Sequence, residues 1–368
     1  MRRLNPLLAI LFFCALSPLA VSAQKFAPPV AYSTGSLAPN GVALGDLNGD
    51  GNLDVVVANT DSSGTIGVLL GKGNGTLQPA VTYPAGSYPE FIVLADFNKD
   101  GHLDVAVANR AIGGPGYVNI LLGNGDGTFQ PPVSYGPFND AFSLAVADFN
   151  NDGALDIAVA DVASGSLLLG NGDGTFRAGT AIGASSTVFF AVADFNGDGK
   201  LDLASAFNTG NTIQILSGNG HGEFKLRSSY VVKTPPIALV AADLNGDGIP
   251  DIASADEAVN DLDSNVTVLE SSSKGYTRKV YPYGDEPRLI VAADITNNGK
   301  LDLVTENEFN GTVDLFMNAN NGLFDSPIVL HDGSITAASV AVGDLNGDGL
   351  PDIVVTDGQT SVHVLLQE

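Results

Sequence analysis

The sequence predicts an all-β protein built as a ring of similar sheets, and three observations support this fold class. A nine-residue acidic pattern recurs roughly every 50 residues along the 368-residue chain, as expected for a repeat architecture. Each repeat holds four short apolar runs separated by Gly, Asn and Asp, and helical periodicity is absent. The last repeat lacks its fourth run, and a copy of that run stands near the N-terminus. The seven patterns start at Asp46, Asp96, Asp148, Asp194, Asp243, Asp294 and Asp344.

The second repeat shows the order of the four runs. Phe91–Ala95 precedes the acidic pattern, Val105–Ala108 follows it, and Tyr117–Leu122 comes third. The Asn-Gly and Asp-Gly pairs of Gly123–Gly127 accept the positive φ of a tight hairpin, which leads into the fourth run, Thr128–Tyr135. The near-continuous apolarity of the first two runs predicts burial on both faces. Four antiparallel strands repeated seven times predict a seven-bladed β-propeller.

The chain ends predict how the ring closes. The seventh repeat stops at its third run, Val362–Glu368, while Phe26–Tyr32 (FAPPVAY) resembles the fourth run Phe129–Tyr135 (FQPPVSY). We expect residues 24–34 to complete the seventh blade, so that residues 24–368 form a single propeller. Closure by this N-terminal strand removes two sheet edges that would otherwise be open to aggregation.

The first 23 residues have the features of a secretory signal peptide. Arg2 and Arg3 precede a short apolar stretch that contains Cys14, the only cysteine, and the stretch ends at the small residues Val21-Ser22-Ala23. An uncleaved anchor is the alternative, but the apolar stretch is short for a membrane span. We expect cleavage after Ala23 and a secreted protein that lies outside the cell, in the periplasm or at the cell surface.

The charge balance excludes two classes of partner. The chain carries 41 acidic and 16 basic residues, for a net charge of −25. A nucleic-acid binder needs a basic surface to displace counterions from phosphate, and anionic membranes would repel this protein for the same reason. We expect no nucleic-acid partner, no membrane span and a monomer.

The acidic pattern predicts a calcium site in each blade. Positions 1, 3, 5 and 9 offer side-chain oxygens, position 7 offers its backbone carbonyl, and Gly at position 6 permits a sharp turn. A hard cation with six to eight oxygen ligands fits this set better than Zn²⁺ or Mg²⁺. The predicted ligands are Asp46, Asn48, Asp50, Asn52, Asp54; Asp96, Asn98, Asp100, His102, Asp104; Asp148, Asn150, Asp152, Ala154, Asp156; Asp194, Asn196, Asp198, Lys200, Asp202; Asp243, Asn245, Asp247, Ile249, Asp251; Asp294, Thr296, Asn298, Lys300, Asp302; and Asp344, Asn346, Asp348, Leu350, Asp352.

Two other interpretations of the acidic pattern account for it less well. An EF-hand requires Glu at position 12, where this chain has Val, Ser or Thr. An Asx-rich turn accounts for a single copy, but three like charges repeated in six full copies repel one another unless a cation neutralises them. We therefore expect up to seven Ca²⁺ ions. The pattern at Asp294 has Thr296 and Asn298 as ligands and should bind most weakly.

The Asp-x-Asn-x-Asp-Gly-x-x-Asp pattern between apolar strands resembles FG-GAP/VCBS repeats, which form the propeller of integrin α-subunits and of many secreted bacterial proteins. The resemblance implies that the pattern joins the first and second strands of a blade and binds calcium. It also implies ligand contacts at the opposite end of the blades. The candidate ligand-binding residues in those connections are Tyr83, Tyr88, Arg110, Tyr117, Tyr135, Tyr283 and Arg288.

These features favour an extracellular binding or adhesion module for a carbohydrate or protein ligand. A calcium-dependent polysaccharide lyase is a second hypothesis, since some lyases use similar propellers. However, the four histidines form no catalytic constellation in the sequence, so we expect no enzyme. A structural component of the cell surface or matrix is a third hypothesis.

Overall fold

The computed structural model describes residues 25–368 except 111–113, 162–163, 185, 259–263, 284–285, 308–309, 321 and 333–336. The predicted signal peptide lies outside the described residues. Within the described ranges no α-helix forms, and no helix is long and apolar enough to cross a bilayer. A single 3₁₀ turn spans Asn208–Gly210.

The described residues form thirty strands, numbered in chain order. They are β1 (Val30–Ser33), β2 (Pro39–Gly45), β3 (Asp54–Asn59), β4 (Thr65–Leu69), β5 (Val81–Pro84), β6 (Pro89–Ala95), β7 (Asp104–Asn109), β8 (Gly116–Leu121), β9 (Val133–Phe138), β10 (Ala141–Ala147), β11 (Asp156–Asp161), β12 (Ser166–Gly170), β13 (Phe176–Ala181), β14 (Thr187–Ala193), β15 (Asp202–Phe207), β16 (Thr212–Gly218), β17 (Phe224–Val231), β18 (Pro236–Ala242), β19 (Asp251–Asp256), β20 (Asn265–Glu270), β21 (Thr277–Pro282), β22 (Pro287–Ala293), β23 (Asp302–Asn307), β24 (Thr312–Phe316), β25 (Asn318–Asn320), β26 (Leu323–Phe324), β27 (Ile328–Asp332), β28 (Ser339–Gly343), β29 (Asp352–Thr356) and β30 (Ser361–Leu365).

The strands form seven four-stranded antiparallel sheets, which confirms the predicted seven-bladed propeller. Blades 1 to 5 are β2–β5, β6–β9, β10–β13, β14–β17 and β18–β21. Blade 6 is β22-β23-β24-β27, with the small hairpin β25-β26 between its third and fourth strands, and blade 7 is β28-β29-β30-β1. The first strands of neighbouring blades lie side by side, and β28 contacts β2 to complete the ring.

The N-terminal strand closes the ring as predicted. Strand β1 pairs antiparallel with β30, from Val30 opposite Val364 to Ser33 opposite Ser361. Phe26 forms a further bridge with Gln367. Because the two ends of the chain share one sheet, blade 7 is complete and β30 is paired on both sides.

Burial follows the position of each strand within its blade. The second strands β3, β7 and β11 are buried along their whole length, because each is covered on both faces by the neighbouring blades. The first strands are only partly buried, as in β6, although their apolarity predicted the same burial. They surround the central axis, where a cavity leaves their side chains partly uncovered.

The fourth strand of blade 2 starts later than predicted. The expected run began at Thr128, whereas β9 begins at Val133. Pro131 and Pro132 have no N–H group to donate to a ladder, so Phe129 makes only an isolated bridge with Gly123.

The core of the described residues consists of seven apolar clusters, and each cluster takes its side chains from two adjacent blades. One example joins Phe97 and Ile120 of blade 2 to Leu144 and Phe176 of blade 3. Because the apolar area lies in the seams between blades, no blade buries its core without its neighbours.

We predict that deleting residues 24–34 destabilises the whole ring. The deletion removes β1, exposes one edge of β30 and opens the seam between blades 7 and 1. The melting temperature, measured by circular dichroism, should fall by about 5 °C or more.

The control for this deletion is Lys25→Ala, which breaks only the exposed ion pair between Lys25 Nζ and a Glu368 carboxylate oxygen, 2.6 Å apart. An exposed pair contributes little, so its melting temperature should change by less than about 2 °C. A deletion variant that melts at the wild-type temperature would contradict closure by β1.

Candidate functional site

The seven acidic patterns all form the same loop, which we call acidic loops 1 to 7 after their blades. Each loop joins the first strand of a blade to the second, so Asp46 follows β2 and Asp54 begins β3. The glycine at position 6 has a left-handed φ between +80° and +87° in all seven loops, a conformation that costs glycine little. The residue at position 4 is also left-handed, including Lys99, Asn151 and Asn297.

The side-chain oxygens of positions 1, 3 and 5 fold each loop onto itself, as loop 1 shows. The Asp46 carboxylate accepts the N–H groups of Gly49 at 2.8 Å and Gly51 at 2.9 Å. Asn48 Oδ1 accepts the N–H of Asp50 at 2.9 Å, and Asp50 Oδ1 accepts that of Asn52 at 2.8 Å. These are Asx turns, in which the side chain replaces a backbone acceptor.

The aspartate at position 9 is fully buried in all seven loops and has a structural role that the sequence did not reveal. In loop 1, one Asp54 carboxylate oxygen accepts the N–H of Leu47 at 2.9 Å, and the other accepts that of Gly71 at 2.7 Å. Asp54 therefore ties the acidic loop to the end of the third strand. Asp104 makes the equivalent bonds to Phe97 and Gly123.

The carboxylates of each loop perturb one another. Burial raises the pKa of Asp54 and Asp104, and the nearby carboxylates at positions 1 and 5 raise it further, against the backbone N–H groups that lower it. For Asp156 burial is again the main cause, and its pKa is raised to about 6. Negative charges held this close are unfavourable, and a bound cation would relieve the repulsion.

The donor set of the acidic loops fits calcium chemically, because it consists of carboxylate and amide oxygens. In the structure, hydrogen bonds between these side-chain oxygens and backbone N–H groups hold the loop geometry. Among the described residues, no three His, Cys, Asp or Glu side chains form a ready-made cation site. The calcium ligands therefore stay predictions.

Loop 6 differs from the other loops in its residues at positions 3 and 5. Position 3 is Thr296, whose N–H and hydroxyl groups donate to Asp302 at 3.0 and 3.1 Å, as the N–H and amide groups of Asn245 donate to Asp251 in loop 5. Position 5 is the neutral Asn298, which leaves two carboxylates in the loop where the others have three.

A hydrogen bond across a blade seam ends on the carbonyl of position 2 in six of the seven loops, and the donor belongs to the next blade. In loop 7 the bond comes from a backbone N–H of blade 1, and in loops 5 and 6 it comes from side-chain amides. The bonds are Gly127 to Leu47 at 3.1 Å, Gly174 to Phe97 at 3.2 Å, Gly222 to Phe149 at 3.1 Å, Gly75 to Leu345 at 3.1 Å, Asn318 to Leu244 at 2.7 Å and Gln367 to Ile295 at 3.0 Å.

Loop 4 is the exception, because Arg227 of the same blade donates to its position-2 carbonyl, on Phe195, at 3.4 Å. The glycine-rich hairpins were predicted only as tight turns. The structure shows that four of them, in blades 1 to 4, also connect blades. The side chain at position 2, which the sequence shows to be always apolar, is buried in all seven loops.

The opposite face of the ring holds a central cavity of about 450 Å³ to which all seven blades contribute. Phe91 and Phe189, from blades 2 and 4, meet edge to face with their ring centroids 5.4 Å apart. Charged side chains also line the cavity, namely Glu90, Arg110, Glu257 and Arg288. The cavity therefore combines aromatic and aliphatic side chains with charged ones.

Arg110 is held in place from three sides. Its guanidinium lies 4.6 Å from the centre of the Phe142 ring, 3.4 Å from an Asp140 carboxylate oxygen and 3.9 Å from one of Glu90. A cation fixed over an aromatic face and paired with two acids keeps its position without a ligand.

A second cavity, of about 290 Å³, lies on the same face within blade 2 and its connection from blade 1, and we call it the side cavity. Tyr88, Asn109, Tyr117 and Asn119 line it, and Arg110 lines both cavities. The two cavities are therefore neighbours that share one side chain.

The seven predicted ligand-binding residues separate into two groups. Tyr88 and Tyr117 line the side cavity, Arg288 lines the central cavity, and Arg110 lines both. The other three line neither of these two cavities and pack inside the ring; they are Tyr83, Tyr135 and Tyr283.

Packing accounts for these three tyrosines without a ligand. Tyr83 and Tyr135 meet phenylalanines edge to face, with centroids 5.5 and 5.4 Å apart. Tyr283 donates its hydroxyl to the Asp314 carboxylate, and burial together with the Asp314 charge raises its pKa.

Sequence reasoning missed most of the central cavity, although the repeats contain a signal for it. In every blade, a residue five or six positions before the acidic loop lines the cavity, as Phe91 and Phe142 do before Asp96 and Asp148. Aligning the repeats on their acidic loops would have identified these positions. No comparable signal marks Asn109 and Asn119.

Comparison with known families identifies the chain. The profile of the FG-GAP-like repeat matches residues 46–107, 96–159, 152–205, 194–254, 243–305 and 294–355. These matches cover most of the chain, so the protein belongs to the family of FG-GAP-like repeat proteins. A sequence comparison with curated proteins found no match.

Solved structures share the fold at low sequence identity. A structure of BBS1N in complex with ARL6DN is 14% identical, covers 94% of this chain and 97% of its own, and gives a TM-score of 0.65. An Agrocybe aegerita lectin, described as recognising non-reducing terminal N-acetylglucosamine, is 18% identical, covers 92% and 96%, and gives 0.56. At these identities the similarity shows the fold alone.

We predict that Asp104→Asn destabilises the protein even without calcium. The amide nitrogen cannot accept the N–H of Phe97 or Gly123, which leaves a buried donor unpaired at a cost of about 1–3 kcal/mol. The free energy of unfolding should be measured by urea titration in EDTA.

The matched control is Asp100→Asn in the same loop, which removes the same charge at an exposed position and should change stability by about 0.5 kcal/mol or less. Equal destabilisation by both variants would contradict the structural role of position 9.

Proposed function

We propose that this protein is a secreted, calcium-binding β-propeller that serves as an extracellular binding module for a carbohydrate or protein ligand. Calcium occupies the acidic loops on one face, and the ligand binds to the opposite face. The central cavity carries this proposal, since all seven blades contribute to it and it combines aromatic with charged side chains.

The properties of the central cavity suit recognition. Its volume of about 450 Å³ falls within the ~300–1,000 Å³ of typical ligand pockets. Phe91, Phe142 and Phe189 offer apolar contact area, and the charged side chains supply orientation. Arg110 is fixed before a ligand arrives, so ordering it costs little on binding.

Two structural neighbours support the class of function rather than its details. One was solved as a complex with a protein, ARL6DN, and the other is a lectin whose ligand is a terminal sugar. Both are propeller-like chains that recognise a partner, which is the role proposed here.

A binding role also agrees with the positions of the histidines. His102 lies in acidic loop 2 and His221 in a hairpin, while His363 Nε2 lies 3.4 Å from an Asp357 carboxylate oxygen. Within the described part of the chain, no histidine lines either cavity. We therefore propose a non-catalytic protein.

Calcium has a structural role in this proposal. Positions 1, 3, 5 and 9 and the carbonyl of position 7 would hold the ion, whose charge would offset the carboxylate repulsion in each loop. A ligand that binds only the folded state stabilises it by about 2.7 kcal/mol per site at 100 times its Kd. The features of residues 1–23 support secretion.

We predict that loop 6 binds calcium most weakly and that Asn298→Asp strengthens it, because the substitution restores the third carboxylate at position 5. Equilibrium dialysis at a calcium concentration that leaves loop 6 of the wild type empty should show one additional bound ion in this variant.

Asn297→Asp is the matched control, since it adds the same charge to loop 6 at position 4, which supplies no ligand. It should not increase the number of bound ions. Seven equally strong sites in the wild type, or equal gains in the two variants, would contradict the assignment.

We predict that Arg288→Ala weakens ligand binding at the central cavity, because Arg288 lines it. Labelled protein should first be screened in calcium on an array of polysaccharides and extracellular proteins. Affinity for the best ligand should then fall by about fivefold or more, measured at a temperature where circular dichroism shows both proteins to be folded.

The control is Arg177→Ala, which removes the same charge at an exposed position of β13 and should leave affinity unchanged. EDTA should weaken both unfolding stability and binding. No retained ligand in the whole screen would contradict the binding module, and bond cleavage in a retained polysaccharide would show an enzyme instead.

A further inference from the structure

The side cavity contains buried acceptors without partners. Asn109 and Asn119 are 2% and 3% exposed, both line the cavity, and the Oδ1 atom of each makes no hydrogen bond. The orientation of Asn109 is set by its amide nitrogen, which donates to the carbonyls of Val107 at 3.2 Å and Tyr117 at 3.4 Å.

Unpaired groups of this kind have partners in most native proteins, either protein groups, water or a ligand. A buried acceptor without a donor costs about 1–3 kcal/mol. Arg110 adds a donor of the same kind, because its Nε is also buried without a partner and the residue lines the cavity. The wall of the side cavity therefore contains two unpaired acceptors and one unpaired donor, each with little accessible surface.

Blade 1 shows that the unpaired carbonyl alone does not make a cavity. Asn59 occupies the position of Asn109 and also leaves Oδ1 unpaired. However, the position of Asn119 is taken by Gly67, where a side chain would meet the Thr34 carbonyl oxygen at 2.3 Å. In blade 1 the chain itself fills the space that blade 2 leaves open.

Two tyrosines form an aromatic part of the wall. Tyr117 is 39% exposed. Tyr88 has a left-handed φ of +55°, and the corresponding residues Ala38 and Ser186 have +51° and +53°. The backbone there does not require an aromatic side chain, so packing against a ligand is the simplest reason for a tyrosine.

We propose that the side cavity binds one neutral sugar residue. Its hydroxyl groups donate to Oδ1 of Asn109 and Asn119, another hydroxyl accepts from Arg110 Nε, and the apolar face of the sugar ring packs on Tyr117. Hydroxyl groups both donate and accept, which matches the mixed set of unpaired atoms. This proposal rests on the proposed function and specifies its ligand class.

Charge and size favour a neutral small ligand. A carboxylate would be attracted by Arg110 but repelled by two carbonyl oxygens, and an ammonium group would be attracted by those oxygens but repelled by the Arg110 guanidinium. The volume of about 290 Å³ is at the lower limit of ligand pockets, ~300 Å³, and suits one ring. Because Arg110 also lines the central cavity, a second sugar unit would extend in that direction.

The test uses methyl glycosides of glucose, galactose, mannose and N-acetylglucosamine, with glucuronate and agmatine as charged comparators. Binding to the full chain in calcium is measured by saturation-transfer NMR and titration. We expect at least one neutral glycoside to bind, with affinity reduced about tenfold by Asn119→Ala and about fivefold by Tyr117→Ala.

Asn59→Ala is the matched control, because it removes the equivalent amide from blade 1 and should leave sugar affinity unchanged. Tyr117 is partly exposed, so its substitution keeps the test valid should Asn119→Ala fail to fold. Tighter binding of either charged comparator, or loss of affinity in Asn59→Ala equal to that in Asn119→Ala, would overturn the proposal.

The proposed function and the sugar site fail differently. If Asn119→Ala and Tyr117→Ala bind like wild type while Arg288→Ala does not, the side cavity is not the sugar site, and the binding module stands. If no glycoside binds but a protein ligand is retained, the ligand class is wrong. If nothing binds to any variant or to the wild type, both proposals are wrong.

Discussion

The ring depends on the hydrogen bonds of one residue, the buried aspartate that begins the second strand of each blade. Its two carboxylate oxygens accept N–H groups from the acidic loop and from the end of the third strand, as Asp54 does with Leu47 and Gly71. The residue at position 2 buries its side chain in the seam and, in six loops, accepts a bond from the next blade. Blade, loop and seam therefore meet near one buried carboxylate. Blade 6 is a variant, because Asp302 accepts the N–H of Thr296 at position 3, while Ile295 at position 2 donates to Ala293.

This arrangement separates the two faces of the ring. On the acidic face the loops are fixed by backbone hydrogen bonds that depend on aspartate, asparagine and glycine, so the seven blades resemble one another. On the opposite face the residues five and six positions before each loop vary between blades and range from Gly41 to Phe91 to Arg288. Recognition can vary there without loss of the fold, which is why the cavities are asymmetric in a ring of similar blades.

The sequence predicted the features that depend on periodicity. The repeat spacing predicted seven blades, and the copied FxPPVxY run predicted ring closure. Those features follow from local patterns that repeat seven times. The second role of Asp54 was not predictable in this way, because its partners Leu47 and Gly71 come from separate parts of the blade. The cavities were missed for a related reason, since they form where single residues of different blades meet.

The tyrosines illustrate the same limit. Tyr83 and Tyr135 lie in fourth strands and Tyr117 lies at the start of a third strand, and the sequence places all three next to connections opposite the acidic loops. Only the three-dimensional arrangement shows that a phenylalanine of the next blade covers the first two, while the third is open to the side cavity. Aromatic residues near a turn serve packing or recognition equally well, and the neighbouring blade decides which.

Strand β7 connects the acidic face of the ring directly to the opposite face. Asp104, its first residue, ties acidic loop 2 to the third strand, and Asn109, its last residue, presents an oxygen to the side cavity. The four residues between them are fully buried, and a strand of this length spans about 20 Å. Because the strand is buried, loss of the Asp104 hydrogen bonds would affect the side cavity only by lowering the stability of the blade. In the proposed calcium-bound state, the ion on one face would therefore act on the proposed ligand site of the other face through the folded fraction rather than through a local rearrangement.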